Sequence, residues 1–187
     1  TKNKNTAMVS TLLEAGGDPN AAIKEAININ HTAIATLLLK NGADGSTPSF
    51  LITAIKNKNT AIVTKLLEAG ASPDEGMQEA VTLNNPEILT LLLKNGADGS
   101  SDELLKASVK HNNTALSSPL IKANSDPSVA LQATLDAKAH LVLQLLADNK
   151  VDLTAPKLLS QVIAKRQMEM AKVLVTNGND VQYIDET

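Results

Sequence analysis

Apolar residues recur along the chain in short groups whose spacing is helical. The stretch from Thr60 has them at positions i, i+1, i+4 and i+5, occupied by Ile62, Val63, Leu66 and Leu67. These four positions lie on one face of an α-helix. Asn59 or Thr60 can cap the start of this helix, and Gly70 stands where a left-handed residue ends one. The pattern predicts an amphipathic helix.

The same pattern occurs seven times. Its copies begin at Thr6, Thr32, Thr60, Pro86, Thr114, Ala139 and Met168, at steps of 26, 28, 26, 28, 25 and 29 residues. Three exact matches 54 residues apart support this alignment: TLLLKNGADGS at 36–46 and 90–100, KNKNTA at 2–7 and 56–61, and LLEAG at 12–16 and 66–70. Self-similarity at a short period is typical of stacked repeats. Two slightly different modules alternate here.

A shorter pattern, apolar–x–x–small–apolar, precedes most copies. It is formed by Ile23/Ala26/Ile27, Leu51/Ala54/Ile55, Met77/Ala80/Val81, Leu105/Ser108/Val109 and Leu159/Val162/Ile163. Asn-rich joints at 57–59, 83–85 and 111–113 separate the two patterns and suit tight turns between helices. Each module is therefore predicted to be helix, turn, helix and loop, which makes the chain all-α. We expect Leu38, Leu66, Leu67 and Leu92 to be buried between neighbouring helix pairs.

Two stretches resemble the ankyrin-repeat family. Residues 47–74, TPSFLITAIKNKNTAIVTKLLEAGASPD, resemble the ankyrin motif in its second helix and its Gly-Ala-Asp-like exit, and LLLKNGADGS resembles its leucine run. The period here averages about 27 residues instead of the family's 33. Only six residues separate Gly70 from Met77, which leaves little room for the family's β-hairpin finger. The family's Thr-Pro-Leu-His tetrapeptide is also absent.

The resemblance implies an ankyrin-like α-solenoid of about seven stacked helix-turn-helix repeats in a single domain, 1–187. A half-repeat would occupy 1–20, because KNKN matches the tail of a first helix. Repeats would follow at about 21–46, 47–74, 75–100, 101–128, 129–154 and 155–187. No β-strand is expected, since the loops after Gly16, Gly42, Gly70 and Gly96 are too short for paired strands.

Copy five departs from the pattern. Pro119 falls in its middle, where proline removes a helical hydrogen bond and clashes with the preceding turn. Two interpretations of Pro119 follow from the sequence. One is local unwinding in a drifted repeat, and the other is a hinge or bulge that fits a partner.

Composition narrows the function classes. The net charge is −3, and only one of the 17 basic residues is Arg. Phe50 and Tyr183 are the only aromatic residues, so Arg forks and stacking platforms for nucleic acid are lacking. The chain has no Cys, which excludes disulfides and thiolate sites and suits an exported or periplasmic bacterial protein. No apolar run is long enough to span a membrane.

The sequence contains no recognisable catalytic motif. His31 and His111 fall in turns, and His140 takes the position of Ala7 and Ala33 in the alignment. We therefore predict that the protein is not an enzyme and has no cofactor, metal or small-molecule substrate.

The remaining candidate is a protein-binding surface. Solenoids present a concave face formed by the outward residues of their first helices. These positions predict protein-binding residues at Lys24, Asn28, Phe50, Ile52, Thr53, Lys56, Gln78, Thr82, Lys106 and Lys110. Phe50 and Ile52 are the apolar exceptions, and two roles are open: anchoring a partner, or a hydrophobic staple in which Phe50 folds back into the core.

Three hypotheses on function follow. The first is a non-catalytic module that docks one protein partner on its concave face. A narrower version is an inhibitor or immunity-type protein that masks a cognate bacterial enzyme such as a cell-wall hydrolase. The alternative is an ankyrin-like structural segment of a larger toxin or secreted effector.

Overall fold

The computed structural model describes residues 2–124 and 126–178. These residues form thirteen α-helices and no β-strand, which confirms the predicted all-α class for this part of the chain. They group into two compact units, with the division between Ala97 and Asp98.

Helices of two kinds alternate along the chain. The even-numbered helices α2 to α12 are the first helices of the pairs, and the odd-numbered helices α3 to α13 are the second helices; α1 corresponds to a second helix. The first unit contains α1 Lys2–Glu14, α2 Asn20–Asn28, α3 Thr32–Lys40, α4 Pro48–Lys56, α5 Thr60–Glu68, α6 Asp74–Thr82 and α7 Pro86–Lys94. The second contains α8 Asp102–Val109, α9 Thr114–Ala123, α10 Pro127–Ala137, α11 His140–Asp148, α12 Pro156–Ala164 and α13 Met168–Thr176.

Neighbouring helices pack in two rows within each unit. In the first unit, α1, α3, α5 and α7 pack one on the next, α2, α4 and α6 do the same, and each even helix packs on the odd helix that follows it. In the second unit, α8 packs on α10, and α9, α11 and α13 pack in sequence. The apolar stripes of both rows meet between them and form the core.

The four leucines that we expected to be buried differ in their exposure. Leu38, Leu66 and Leu92 are at most 1% exposed, as expected. The expectation for Leu67 was wrong, because this side chain is only half-buried. It lies one position, about 100°, around α5 from Leu66, so the helix turns it towards the edge of the core.

Local hydrogen bonds explain where the helices begin and end. The Asn59 side chain accepts a bond of 3.0 Å from the Ile62 amide, and Asn85 does the same for Ile88. Before each cap, the joint places one residue in the left-handed region, as at Lys58 with φ 52° and Asn84 with φ 50°. Five of the second helices, α1, α3, α5, α7 and α13, end at a Gly with positive φ, as at Gly70 with φ 92°. Asn59 is therefore the cap, rather than Thr60.

Asn59 also connects neighbouring helix pairs. Its Nδ2 donates to Asn30 Oδ1 at 2.6 Å and to Thr32 Oγ1 at 2.7 Å. We expect Asn59→Ala to lower the free energy of unfolding by about 1–2 kcal/mol, because it removes a helix cap as well as these bonds. Urea unfolding followed by circular dichroism measures the change. Asn59→Asp, which keeps the cap acceptor but loses the donor, should retain part of the stability; equal losses would contradict the role of the cap.

The sixth copy begins one residue later than the sequence alignment placed it. Helix α11 starts at His140, and buried Ala139 precedes it. His140 therefore occupies the position of Thr32 and Thr60, and not that of Ala7 and Ala33. With this correction the second helices α3 to α13 start at alternating steps of 28 and 26 residues.

Helix α1 also differs from the expectation. KNKN was expected to form the tail of a first helix followed by a joint, but α1 runs without a break from Lys2 to Glu14. The identical residues at 56–59 do form a helix end, a left-handed joint and a cap.

Helix α9 continues through Pro119. It extends from Thr114 to Ala123 with the proline inside, so the expected local unwinding is not found. A buried hydrogen bond lies nearby, since Ser108 Oγ donates to Ser117 Oγ at 3.2 Å. Ser108 stands where α4 and α6 have the buried alanines Ala54 and Ala80.

Aspartates close the loops between helix pairs in a recurring turn. The Oδ1 atoms of Asp44, Asp98, Asp126 and Asp152 each accept a hydrogen bond of 2.8–2.9 Å from the amide two residues later. Hydrogen bonds to the Ser or Thr at that position hold the pKa of each of these aspartates below its ordinary value. The bond to the side chain has the larger effect, and the bond to the amide the smaller one. The charged form is thus favoured in the folded state.

This lowered pKa predicts an acid dependence of stability. A carboxylate whose pKa is lower when folded stabilises the protein above its unfolded pKa, about 3.9, and this stabilisation is lost as the pH falls through the folded pKa. The free energy of unfolding should therefore decline below a pH of about 4. A variant with all four aspartates replaced by Asn should show a flatter decline in urea titrations at successive pH values. An unchanged slope would contradict the role of these turns.

Candidate functional site

The predicted binding residues lie on the outer side of the first helices. Two positions recur there, one and five residues after the first core residue of each helix, and a separation of four residues puts them on one face. Lys24 and Asn28 hold these positions in α2, Gln78 and Thr82 in α6. All ten predicted residues lie at the surface: seven are exposed, and Phe50, Ile52 and Thr53 are half-buried.

In the first unit this face is mostly polar. Lys56 Nζ lies 3.9 Å from Glu79 Oε2, and Gln78 Nε2 donates to Thr82 Oγ1 at 3.2 Å. Ile52 interrupts the polar row. The half-burial of Phe50 fits both the staple and the anchor, so its role stays a prediction.

In the second unit the corresponding face contains a groove. It lies between α8 and α10 and has a volume of about 540 Å³. Small and apolar residues of α10 form part of its lining, among them Val129, Ala133 and Ala137. Lys106 and Lys110, both predicted as binding residues, line it from α8. A concave apolar surface with a few polar groups is the usual form of a binding site.

The sequence prediction missed the wall contributed by α10. Gln132 and Asp136 line the groove and hold the positions in α10 that Lys106 and Lys110 hold in α8. The signal was present as Leu131, Thr134 and Leu135, an apolar–x–x–small–apolar group. Thr134 concealed it, because a threonine stands where the other first helices have Ala, Ser or Val. Thr134 is buried, and its hydroxyl donates to the Ala130 carbonyl at 2.7 Å.

The two walls of the groove differ in charge. Asp136 accepts bonds of 3.1 Å at both carboxylate oxygens from Gln132 Nε2 and lies 4.0 Å from Lys165 Nζ. Neither Lys106 nor Lys110 forms an ion pair with another residue in the described part of the chain. The α8 wall therefore presents two positive charges beside an apolar surface.

The three histidines lie near the turns between paired helices. His31 Nδ1 accepts from the Ile34 amide at 3.3 Å and so caps α3. His111 is exposed, and His140 Nδ1 lies 3.4 Å from Asn112 Nδ2. Within residues 2–124 and 126–178, no three His, Asp or Glu side chains come together as metal ligands could.

No protein-family model matches the chain, and no curated protein matches it significantly. The resemblance to ankyrin repeats thus rests on the residues quoted above. Among the described helices, none has the length and apolar character needed to cross a membrane.

Proposed function

We propose that the protein is a non-catalytic protein-binding module. In this proposal it is an ankyrin-like α-solenoid of about seven helix pairs, and it docks a protein partner on the outer faces of its first helices. The alternating packing of first and second helices within each unit supports the architecture. The surface position of all ten predicted residues supports the location of the binding face.

The groove between α8 and α10 is the observation that carries the proposal. Its volume of about 540 Å³ can accept an apolar side chain. Its apolar lining with a polar rim matches the anatomy of protein interfaces, in which a desolvated centre is surrounded by polar residues. The unpaired charges of Lys106 and Lys110 favour a partner that places a carboxylate beside its apolar anchor.

The first step of the test identifies and purifies a partner. The chain serves as bait, captured proteins are identified by mass spectrometry, and direct binding of the purified partner is measured by calorimetry. We then expect the double variant Lys106→Glu/Lys110→Glu to weaken binding by about tenfold or more, or roughly 1.4 kcal/mol. The matched control is Lys122→Glu/Lys150→Glu, which changes the net charge equally at exposed positions of the same unit.

Comparison of the two doubles separates contact in the groove from general electrostatic attraction. A loss of affinity confined to the groove variant supports the proposal. An equal loss in both would show that only net charge matters. Binding that neither variant changes would move the partner away from this groove.

A second variant tests the face of the first unit. Ile52→Asp should keep the helical circular dichroism spectrum but lower the melting temperature, because Ile52 is half-buried, so binding is compared at temperatures where both proteins are folded. If Ile52 anchors the partner, binding should weaken by about tenfold or more. Ile29→Asp is the control, since Ile29 is 60% exposed in the same unit and lies outside the predicted rows. Unchanged affinity in Ile52→Asp would exclude the anchor.

One narrower hypothesis and one alternative remain predictions: the narrower one is an inhibitor or immunity-type protein for a bacterial enzyme such as a cell-wall hydrolase, and the alternative is an ankyrin-like structural segment of a larger toxin or secreted effector. The identified partner distinguishes them. Loss of a hydrolase's activity on addition of the chain would support the inhibitor.

A further inference from the structure

The groove between α8 and α10 lacks an acidic side chain that the corresponding place between α4 and α6 contains. In each unit one first helix packs on the next, α4 on α6 and α8 on α10. Lys56 of α4 and Lys110 of α8 hold the same position, five residues after the first core residue of their helix. The two places can therefore be compared side chain by side chain.

Between α4 and α6 a glutamate lies beside the lysine. Lys56 Nζ lies 3.9 Å from Glu79 Oε2. The Glu79 side chain is only 22% exposed, so the neighbouring helix covers most of it. This place is thus filled by a long side chain, and its lysine has an acidic partner.

Helix α10 has short apolar residues where α6 has acids. The alignment of the two helices on their first core residue places Ala133 at the position of Glu79, and Val129 at the position of Glu75. Ala133 and Val129 both line the groove, with Lys110 on the opposite wall. Short side chains in place of long acidic ones account for the open space and for a lysine that no acid neutralises.

The aspartate in the groove does not replace the missing glutamates. Asp136 is the one acid among the described residues that line the groove. Gln132 Nε2 donates to both of its carboxylate oxygens at 3.1 Å, and Lys165 Nζ lies 4.0 Å away. Because Asp136 already has these partners, the charges of Lys106 and Lys110 give the groove an excess of positive charge.

We propose that this groove binds an acidic amphipathic helix of the partner, which supplies the carboxylates that α10 lacks. The inference rests on the proposed function and names the class of segment that docks. Glu75 and Glu79 are four residues apart, as are Lys106 and Lys110, and this separation is about 6 Å along a helix. A partner helix with Asp or Glu at positions i and i+4 has both acids on one face at the same spacing. Apolar side chains next to them would cover the apolar lining of α10.

Ala133→Glu is the deciding variant, because it gives the groove its own acid. The new side chain would stand beside Lys110 as Glu79 stands beside Lys56, so it should fill the groove and neutralise it. The matched control is Ala107→Glu, which adds the same charge at the corresponding position of α8, outside the groove lining. Both alanines are half-buried, and circular dichroism checks that both variants fold. Lys110→Ala, at an exposed position, tests the same contact without a new side chain in the groove.

The probe is a phage-displayed library of random peptides of about twelve residues, roughly three helical turns, selected on the immobilised full chain. We expect the enriched peptides to carry Asp or Glu at i and i+4 beside apolar residues. Synthetic copies should gain helical circular dichroism on binding. Fluorescence anisotropy should show that Ala133→Glu and Lys110→Ala each weaken their binding by about tenfold or more, whereas Ala107→Glu leaves it within about twofold.

Several results would overturn the proposal. They are a selection without enrichment, enriched peptides without the acidic pair, peptides that gain no helix, and equal losses of affinity in Ala133→Glu and Ala107→Glu. The proposed function fails by a different result, since it requires only that a protein partner bind on the first-helix faces. A captured partner that binds the parent and Ala133→Glu equally well would overturn the acidic helix and leave the protein-binding module standing.

Discussion

Leu66→Ala should lower the free energy of unfolding by about 2–5 kcal/mol. Leu66 is 0% exposed and lies in α5, which packs on α3, α4 and α7. A Cβ atom added to Gly45 would stand 3.5 Å from Leu66 Cδ2, so the loop before α4 also closes over this side chain. Truncation removes apolar contacts and leaves a cavity whose walls belong to several helices, which limits their collapse into it.

Leu67→Ala is the matched control. The two residues are adjacent and chemically identical, but Leu67 is half-buried, so its truncation removes less apolar surface from the core. Urea unfolding followed by circular dichroism gives both values. Equal losses would mean that the register of α5 is wrong, as would a loss below about 1 kcal/mol for Leu66→Ala, which lies under the usual range for core leucines.

The regular part of the fold was predictable because several signals agree there. In the copy from Thr60, the apolar spacing, the Asn cap and the terminal Gly all indicate one register. The copy from Ala139 lacks both flanking signals, since Ala precedes the helix and Lys150 stands in the place of the glycine. Its run of leucines then fits two registers. The joint decides between them, because Lys138 has φ 57° and takes the left-handed position.

The candidate site was only half predictable. Lys106 and Lys110 follow from the pattern of α8, whereas Gln132 and Asp136 belong to a helix whose pattern is altered by Thr134. The groove itself arises from the spacing between α8 and α10, and no local periodicity encodes that spacing. The continuous helix α1 could not be predicted either, because KNKNTA adopts two conformations in one chain. At 56–61 it contains a left-handed joint and a cap, whereas at 2–7 it is helical throughout.

Pro119→Lys should raise the free energy of unfolding by about 1–3 kcal/mol. Proline in a helix interior costs about 3 kcal/mol relative to alanine, because it lacks the N–H and its ring clashes with the preceding turn. Pro119 lies inside a continuous α9, so the carbonyl of Ala115 cannot receive the usual bond from residue 119. Loss of the rigid ring also loosens the unfolded chain, which offsets about 0.4–1 kcal/mol.

Lysine suits the position because Lys65 holds it in α5, and both sites are partly exposed. Pro119→Gly is the control: it removes the ring equally but adds the helix cost of glycine, about 1 kcal/mol, so its gain should be smaller. The measurement is again urea unfolding, combined with partner affinity once a partner is known. A Pro119→Lys variant no more stable than the parent would show that the surrounding helices have adapted to the ring. If stability rises while affinity falls, the proline shapes α9 for the partner, and the hinge hypothesis gains its first support.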